Sequence, residues 1–374
     1  MRTAPIHRQQ EPLTKEGTEV HGGPVEAFSV FANGNIAPFR RALLGCYDRH
    51  RRDLPWRRTR DPYAIWLSEI MLQQTRVAAV LEHYRIFLER FPNIVALAAA
   101  SEDDVLAAWS GLGYYRRARM LHACAREIVA RHGGRFPQTA ATLRELPGIG
   151  RYTAAAIASI AFGEAVAVVD GNVERVLQRI RGCDLTVAEN WERAAELLSK
   201  SRPGDFNQAM MELGATVCLP RDPQCEACPV SAWCTTAARE LQAKGSGLGA
   251  LRAVASPRQM KREIWCALER RDGRVRLVRR SKDASLMAGM WELPQWTEVP
   301  DESAGSATWR TFRHSITVTD YTVHVLQNSG TRTKNAAAER GAAIRRGKWV
   351  AVETIPQLPI TGLTRKILKA GGVI

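Results

Sequence analysis

LPGIGRYTAAA, residues 146–156, decides how the rest of the chain is read. Gly148 and Gly150 stand one residue apart, directly before an alanine-rich run. Glycine lets a backbone turn tightly and come close to another surface. A helix that begins at once behind such a turn points its unpaired N–H groups at the loop, a geometry that holds a phosphate through backbone donors. An ordinary helix–loop–helix turn has the same outline, so the string alone leaves both readings open. It is not a nucleotide P-loop, because no Gly-Lys-Ser/Thr follows. The turn itself carries no side chain for chemistry, and Tyr152 stands two residues behind it.

Outward from this turn, the pattern from Ile36 to about Ala238 is helical. Apolar residues recur three and four apart in 63–90, 101–131, 139–163 and 189–215, with short Gly or Pro breaks. Residues 1–36 are rich in Pro, Gly, Gln, Glu and His without periodicity and read as a disordered tail. Residues 239–260, with KGSGLGA and SPRQ, read as a linker. Beyond Lys261 the texture changes. EIWCALERRDGRVRLVRR reads as two strands about an Asp-Gly turn, SITVTDYTVHVL alternates like one strand, and LTRKILKA reads as a closing helix. The expected organisation is a mostly α domain over 37–238, a linker over 239–260 and a smaller α+β domain over 261–374.

The 374 residues carry a formal net charge of +15, the electrostatic profile of a protein that meets a polyanion. The basic residues are spread along the chain and not massed in one amphipathic helix, which argues for nucleic acid over a membrane surface. With no apolar stretch long enough to span and no apolar signal core, a cytoplasmic location with reduced thiols is expected. Of the eight cysteines, Cys46, Cys124, Cys183 and Cys266 are scattered and read as packing residues. The other four, Cys218, Cys225, Cys228 and Cys234, fall in CLPRDPQCEACPVSAWC. Four thiolates so close in sequence can close on one metal site if the loop folds back. Zinc and [4Fe–4S] both accept four cysteines; the single CxxC pair favours iron–sulfur. Arg221, inside the loop, could face a phosphate.

Two carboxylates have unlike surroundings. Glu69, in IWLSEIMLQQT, sits on a helix beside Ile65, Trp66 and Leu72, where loss of hydration raises a carboxyl pKa and suits it to donate a proton. Asp170, in VAVVDGNVERVLQRI, opens a helix as an N-cap, which favours the anion. One acid and one anion across a glycosidic bond are the usual means of cleaving it through an oxocarbenium-like state.

The ordered strings LPWRRTRDPYAIWLSEIMLQQTRV, GLGYYRRAR, LPGIGRYTA, VVDGNVERV, FNQAMMELGATVC and the four-cysteine loop carry a resemblance from about Leu54 to Cys234. The chain resembles the MutY-type adenine DNA glycosylases of the helix–hairpin–helix superfamily. The resemblance implies a [4Fe–4S] cluster on the four cysteines, duplex DNA as partner, and removal of adenine opposite 8-oxoguanine or guanine by a monomeric, nucleoid-associated bacterial enzyme. It implies that Glu69 protonates the leaving adenine, that Asp170 supports the anomeric carbon, and that Asn172 helps to place them. Leu54, Trp56, Arg57, Val77 and Gln208 then match an adenine pocket. Gln74 and Tyr114 match residues that wedge into the duplex, and Gly148 and Gly150 a hairpin that grips one strand. Endonuclease III-type relatives carry a lysine at the position of Tyr152. A phenol cannot form a Schiff base, so Tyr152 implies hydrolysis without strand cleavage and a hydroxyl that holds the catalytic carboxylate.

The last domain resembles the MutT-like (Nudix) unit that these enzymes append, with LMAGMWELPQ like the start of a Nudix box. WTEVPDESAG stands where a metal-binding glutamate helix would follow, so no pyrophosphatase activity is expected. The family's Phe-Ser-His contact to 8-oxoguanine corresponds to TFRHSIT, with Phe312, Arg313, His314 and Ser315 as candidates. Two rivals remain: a bifunctional endonuclease III-like glycosylase/lyase, against which Tyr152 argues, and a non-catalytic DNA-binding iron–sulfur protein, against which the two carboxylates argue.

Overall fold

A computed structural model describes residues 35–239, 260–297, 308–316, 318–328 and 347–374. Residues 1–34 of the expected tail (1–36), residues 240–259 of the expected linker (239–260) and most of WTEVPDESAG lie outside the described residues. The first part is helical: α1 Ala37–His50, α2 Pro62–Leu72, α3 Val77–Arg90, α4 Ile94–Ala99, α5 Glu102–Trp109, α6 Arg116–His132, α7 Ala140–Leu143, α8 Arg151–Ala161, α9 Gly171–Arg181, α10 Val187–Leu197 and α11 Pro203–Thr216. Their starts carry the expected local chemistry. Asp61, Asn93, Ser101, Thr139, Asp170 and Thr186 each accept a backbone N–H as N-cap, and Thr186 closes a capping box with Glu189. The periodic stretch 63–90 resolves into two helices because Gln74 turns left-handed, with φ 55°. Stretch 101–131 likewise breaks at Ser110–Tyr115, where Tyr114 has φ 48°.

Two helical cores result. The first joins α2 to α8 around Trp66, Trp109, Phe87, Leu106 and Leu121. The second joins α1, α9, α10 and α11 around Phe39, Leu43, Phe206 and Met210, and the cysteine loop packs against it. A small seam of Ile65, Ala155, Ala156, Ile160 and Val168, with Tyr152 and Met211 beside it, lies between them. The extended run Ala165–Asp170 crosses this seam without a strand partner, so its polar backbone needs side-chain partners. Buried Asn207 supplies them: Oδ1 accepts Val168 N–H (3.1 Å), and Nδ2 donates to Val166 O (2.9 Å) and to Ser159 Oγ (2.9 Å). Asp170 is thereby delivered to the seam.

The last part is a mixed sheet with one helix. Strands β1 Met260–Arg271, β2 Arg274–Arg279, β3 Trp291–Glu292, β4 Gln295–Trp296, β5 Thr308–Ile316, β6 Thr319–Asn328 and β7 Lys348–Ala351 assemble in the order β3-β2-β1-β6-β5, with β4 on β1 and β7 on β2. The β1–β2 hairpin turns at Asp272 and Gly273, both with positive φ, as the Asp-Gly signal predicts. SITVTDYTVHVL is not one strand. The chain reverses between Ile316 and Thr319, which pair with each other, so the string spans the end of β5 and most of β6. Its alternation persists through the reversal, which hides the turn from a period-two reading. Helix α12, Gly362–Ala370, covers the sheet through Leu363, Ile367 and Leu368.

The sheet unit is docked on α5 and α6. Met290 is fully buried in the first helical core, with Met287 packed beside it. Ser110 Oγ donates to Ile360 O (2.6 Å), Arg365 Nε donates to Ser110 Oγ (3.2 Å), and Arg279 Nη2 grips both oxygens of Asp103 at 2.7 Å. Among the described residues no helix is long and apolar enough to cross a membrane. Replacing Asn207 by Ala leaves Val168 N–H and Val166 O without protein partners. It is expected to cost about 3 kcal/mol, read as a lower midpoint in urea denaturation with an unchanged slope.

Candidate active site

The seam opens into a cleft of about 1430 Å³ that runs from the helical cores to the sheet unit. This exceeds the roughly 300–1,000 Å³ of a small-molecule pocket and suits part of a polymer. At its deep end stands Glu69. Helix α2 is apolar all round, and every residue from Tyr63 to Met71 is buried, Glu69 included at 7% exposure. Tyr152, from the first turn of α8, donates its hydroxyl to Glu69 Oε2 at 2.7 Å; Met211 Sδ lies 3.3 Å from the Tyr152 hydroxyl oxygen. Burial is the largest influence on Glu69 and drives its pKa up to about 7. The Tyr152 hydrogen bond and the Arg57 charge pull it down, and the Asp170 charge pushes it up. Burial and the neighbouring Glu69 together keep the Tyr152 phenol protonated far above its ordinary range.

Asp170 faces this carboxyl from the start of α9. Its Oδ1 accepts the backbone N–H of Asn172 (3.0 Å) and Val173 (2.8 Å), and its Oδ2 accepts Asn172 Nδ2 (3.0 Å). All three donors fix the orientation of the carboxylate. Asn172 is itself held: Arg175 Nη2 donates to its Oδ1 (2.9 Å) and to Gly214 O (2.6 Å), while Arg175 Nε donates to Cys218 O (2.9 Å). A Cβ on Gly214 would lie 2.6 Å from Asn172 Cβ, so α11 reaches α9 this closely only with glycine there.

Leu54, Trp56, Arg57, Val77, Gln208, Gln74, Tyr114 and Gly148 also line the cleft, as do His314 and Ser315 at the far end. Burial lowers the His314 pKa, with Lys366 adding to the effect, so the ring is neutral near pH 7. Four candidates lie elsewhere. Phe312 is a buried core residue under α12, because β5 turns that side chain inward. Arg313 is exposed on the alternate face and is not among the cleft residues. Arg221 is exposed in the cysteine loop. Gly150 takes an ordinary φ of −83°, so only Gly148, at +77°, turns left-handed. A Cβ on Gly148 would meet Met120 Cβ at 2.8 Å, whereas one on Gly150 would meet open space.

Sequence reasoning missed Glu212, Arg52, Met211 and Arg117, all on the cleft wall. Arg57 and Arg52 converge on Glu212 at 2.7 and 2.6 Å. Burial works to raise Glu212, yet the two guanidinium groups outweigh it and hold the carboxyl at about 2. Glu212 is therefore an anion and Glu69 an acid, two buried glutamates separated by the presence or absence of bonded arginines.

The cysteine loop lies behind α9. Cys228 and Cys234 each lie within the electrostatic reach of Cys218 and Cys225, and burial pushes the Cys228 thiol up to about 11. Arg179 Nη1 donates to Cys218 Sγ (3.3 Å) and Ala237 N–H to Cys234 Sγ (3.4 Å). N–H donors thus reach two of the four cysteine sulfurs, chemistry that suits a thiolate-held group. Among the described residues no group of three or more His, Cys, Asp or Glu is placed to hold a metal ion. Of the scattered cysteines, Cys124 and Cys266 are buried, whereas Cys183 is exposed and does not pack.

Comparison with known proteins gives two family matches: residues 67–200 match the HhH-GPD superfamily of base excision DNA repair proteins, and residues 264–370 match a NUDIX domain. An adenine DNA glycosylase of Homo sapiens is 41% identical over 355 residues, covering 80% of this chain and 64% of that protein. One of Arabidopsis thaliana is 39% identical over 330 residues, covering 77% and 51%. The chain thus spans between about half and just under two thirds of the length of these curated relatives. A solved thermostable thymine-DNA glycosylase superposes with a TM-score of 0.53 at 33% identity, covering 55% of this chain and 98% of that one.

Glu69, with a pKa near 7 when folded against an ordinary 4.5, destabilises the fold once it is ionised. That cost is absent below the unfolded pKa, grows as pH rises, and is complete above the folded pKa. The Glu69→Gln variant is expected to melt at a higher temperature than the parent, with a gap that widens from pH 5 to pH 8, as read by calorimetry.

Proposed function

The chain belongs to the HhH-GPD superfamily of base excision DNA repair proteins, and from that premise we propose that it is a monofunctional adenine DNA glycosylase acting on adenine opposite 8-oxoguanine or guanine. One observation carries the reading. An enclosed glutamic acid poised near neutrality is hydrogen-bonded to Tyr152, where a lyase would need an amine, and it lies in the field of an N-cap aspartate. The named adenine glycosylases among the relatives support the choice of base.

In this scheme the net charge of +15 draws in the duplex, and the open backbone around Gly150 takes up a phosphate. The adenine leaves the stack and enters the end of the cleft walled by Leu54, Trp56, Val77 and Gln208. As the C–N bond breaks, its electron pair passes to the base and Glu69 supplies the proton, because an adenine anion leaves poorly. Asp170, fixed by three N–H donors, supports the cationic sugar, and water adds to the anomeric carbon while its proton returns to a carboxylate. His314 and Ser315, at the far end of the cleft, would face 8-oxoguanine, and the neutral imidazole can both donate and accept. Cys218, Cys225, Cys228 and Cys234 would hold a [4Fe–4S] cluster. Such a cluster would cross-link the loop behind α9. One protomer carries every group that the scheme uses.

The test is an end-labelled duplex with A opposite 8-oxoguanine, assayed with and without hot alkali, beside a T·G duplex. Cleavage is expected only after alkali and only at the adenine; a cut without alkali, or preference for T·G, overturns the reading. Glu69→Gln should slow single-turnover excision by on the order of 10²- to 10⁴-fold while duplex binding persists. The wild-type rate should fall as pH rises through about 7, where Glu69 loses its proton. Tyr152→Phe removes a hydrogen bond that lowers this pKa and should move the limb to higher pH.

A further inference from the structure

Arg117, in the first turn of α6, has no ion-pair partner among the described residues and is more enclosed than a surface arginine. Its guanidinium is spent on backbone. Nη1 donates to Ile70 O (2.6 Å), Met71 O (3.0 Å) and Gln73 O (2.7 Å), the last carbonyls of α2 and its cap. Nη2 donates to Thr75 Oγ1 (3.2 Å), Leu112 O (3.3 Å) and Gly113 O (3.4 Å). The carbonyl end of a helix is a partial negative charge, so α2 serves as the counter-charge. The guanidinium plane also lies over the rings of Trp109 (5.3 Å) and Tyr114 (5.5 Å).

The two loops gathered in this way share an unusual property. Gln74 and Tyr114 are non-glycine residues at φ 55° and 48°, a conformation that costs free energy and persists only where the surroundings over-determine it. Both are exposed on the rim of the cleft. They are far apart in sequence, and Arg117 bonds the backbone on the N-terminal side of each.

We infer that Arg117 is a positioning residue: it clamps the Gln73–Thr75 and Leu112–Tyr114 loops into one rigid wedge that stands ready before DNA arrives and so governs extrusion of the base, not cleavage of its bond. A preformed wedge enters the stack without the ordering cost that a loose one would bear. A lysine cannot replace the fork, because one ammonium cannot reach carbonyls on both loops in a common plane. The inference rests on the glycosylase reading for its consequence, and on geometry alone for the clamp itself.

Two measurements separate these. The first is hydrogen exchange of Arg117→Met and Arg117→Lys, without DNA. Protection should fall in both loops, 73–76 and 111–115, and hold in α2 and α8; loss in neither loop, or in one only, overturns the clamp whatever the activity proves to be. The second is single-turnover excision from a paired duplex and from one whose adenine sits in an unpaired bulge, with 2-aminopurine fluorescence reporting extrusion. Arg117→Met should slow the paired substrate by on the order of tenfold to a hundredfold and the bulge far less. The effect should shrink in a Gln74→Ala/Tyr114→Ala background, because the clamp acts through those residues. Equal losses on both substrates, or full additivity, overturn the positioning role. A wild-type protein that excises no adenine would sink the glycosylase reading and leave the exchange result to decide the clamp.

Discussion

A carboxyl group enclosed between packed helices must keep its proton or find a cation, and this molecule does both within one cleft. Glu212 is bonded to Arg52 and Arg57 and stays ionised; Glu69 has a neutral phenol and stays acidic until about pH 7. The division depends on the seam. Glu69 comes from a helix buried on every side in the first core, and Asp170 from an extended run that Asn207 pins against the second. Loosening either lobe would admit water to Glu69, weaken the burial that raises it and let the two carboxylates become alike. Chemical asymmetry here is a consequence of packing.

The far wall of the cleft belongs to another unit of the chain, and its attachment is specific. The Ile360 carbonyl accepts from Ser110, and the Tyr115 hydroxyl reaches the same oxygen at 3.4 Å. Ser110 and Tyr115 bracket the loop that carries Tyr114, so the sheet unit leans on the segment that Arg117 clamps from the other side. His314 and Ser315 are thereby held at a fixed station relative to Glu69, at the opposite end of one cleft.

The parts of this arrangement legible in the sequence were local. LPGIGRYTAAA gives its turn and helix because Gly148 must be left-handed and Tyr152 follows on the first helical turn. The Asp-Gly hairpin and the Asp170 cap are equally local. Glu69 could be singled out because an acid stands in an unbroken apolar helix. Glu212 could not: its partners lie about 160 residues away in sequence, and no periodicity records a pair at that range. Arg117 looked like one more basic residue of a basic chain, since its partners are carbonyls, which every residue has. Phe312 shows the converse failure. A motif placed it at a recognition site, but it packs into the core under α12, while His314 and Ser315, at the end of β5, line the cleft.

Met290 gives the two units a shared interior. It is wholly buried among helical residues, although it belongs to the stretch that leads into β3. Cutting the chain between the units would therefore not release an intact helical half. It would empty a methionine-sized cavity in the first helical core, at a cost of about 2–5 kcal/mol, and the walls would relax into the space. Any change in the behaviour of such a fragment would combine an absent cleft wall with a deformed helical core. The units are welded, and their contributions separate through single side chains such as His314 or Ser315, which touch the cleft without filling the common core.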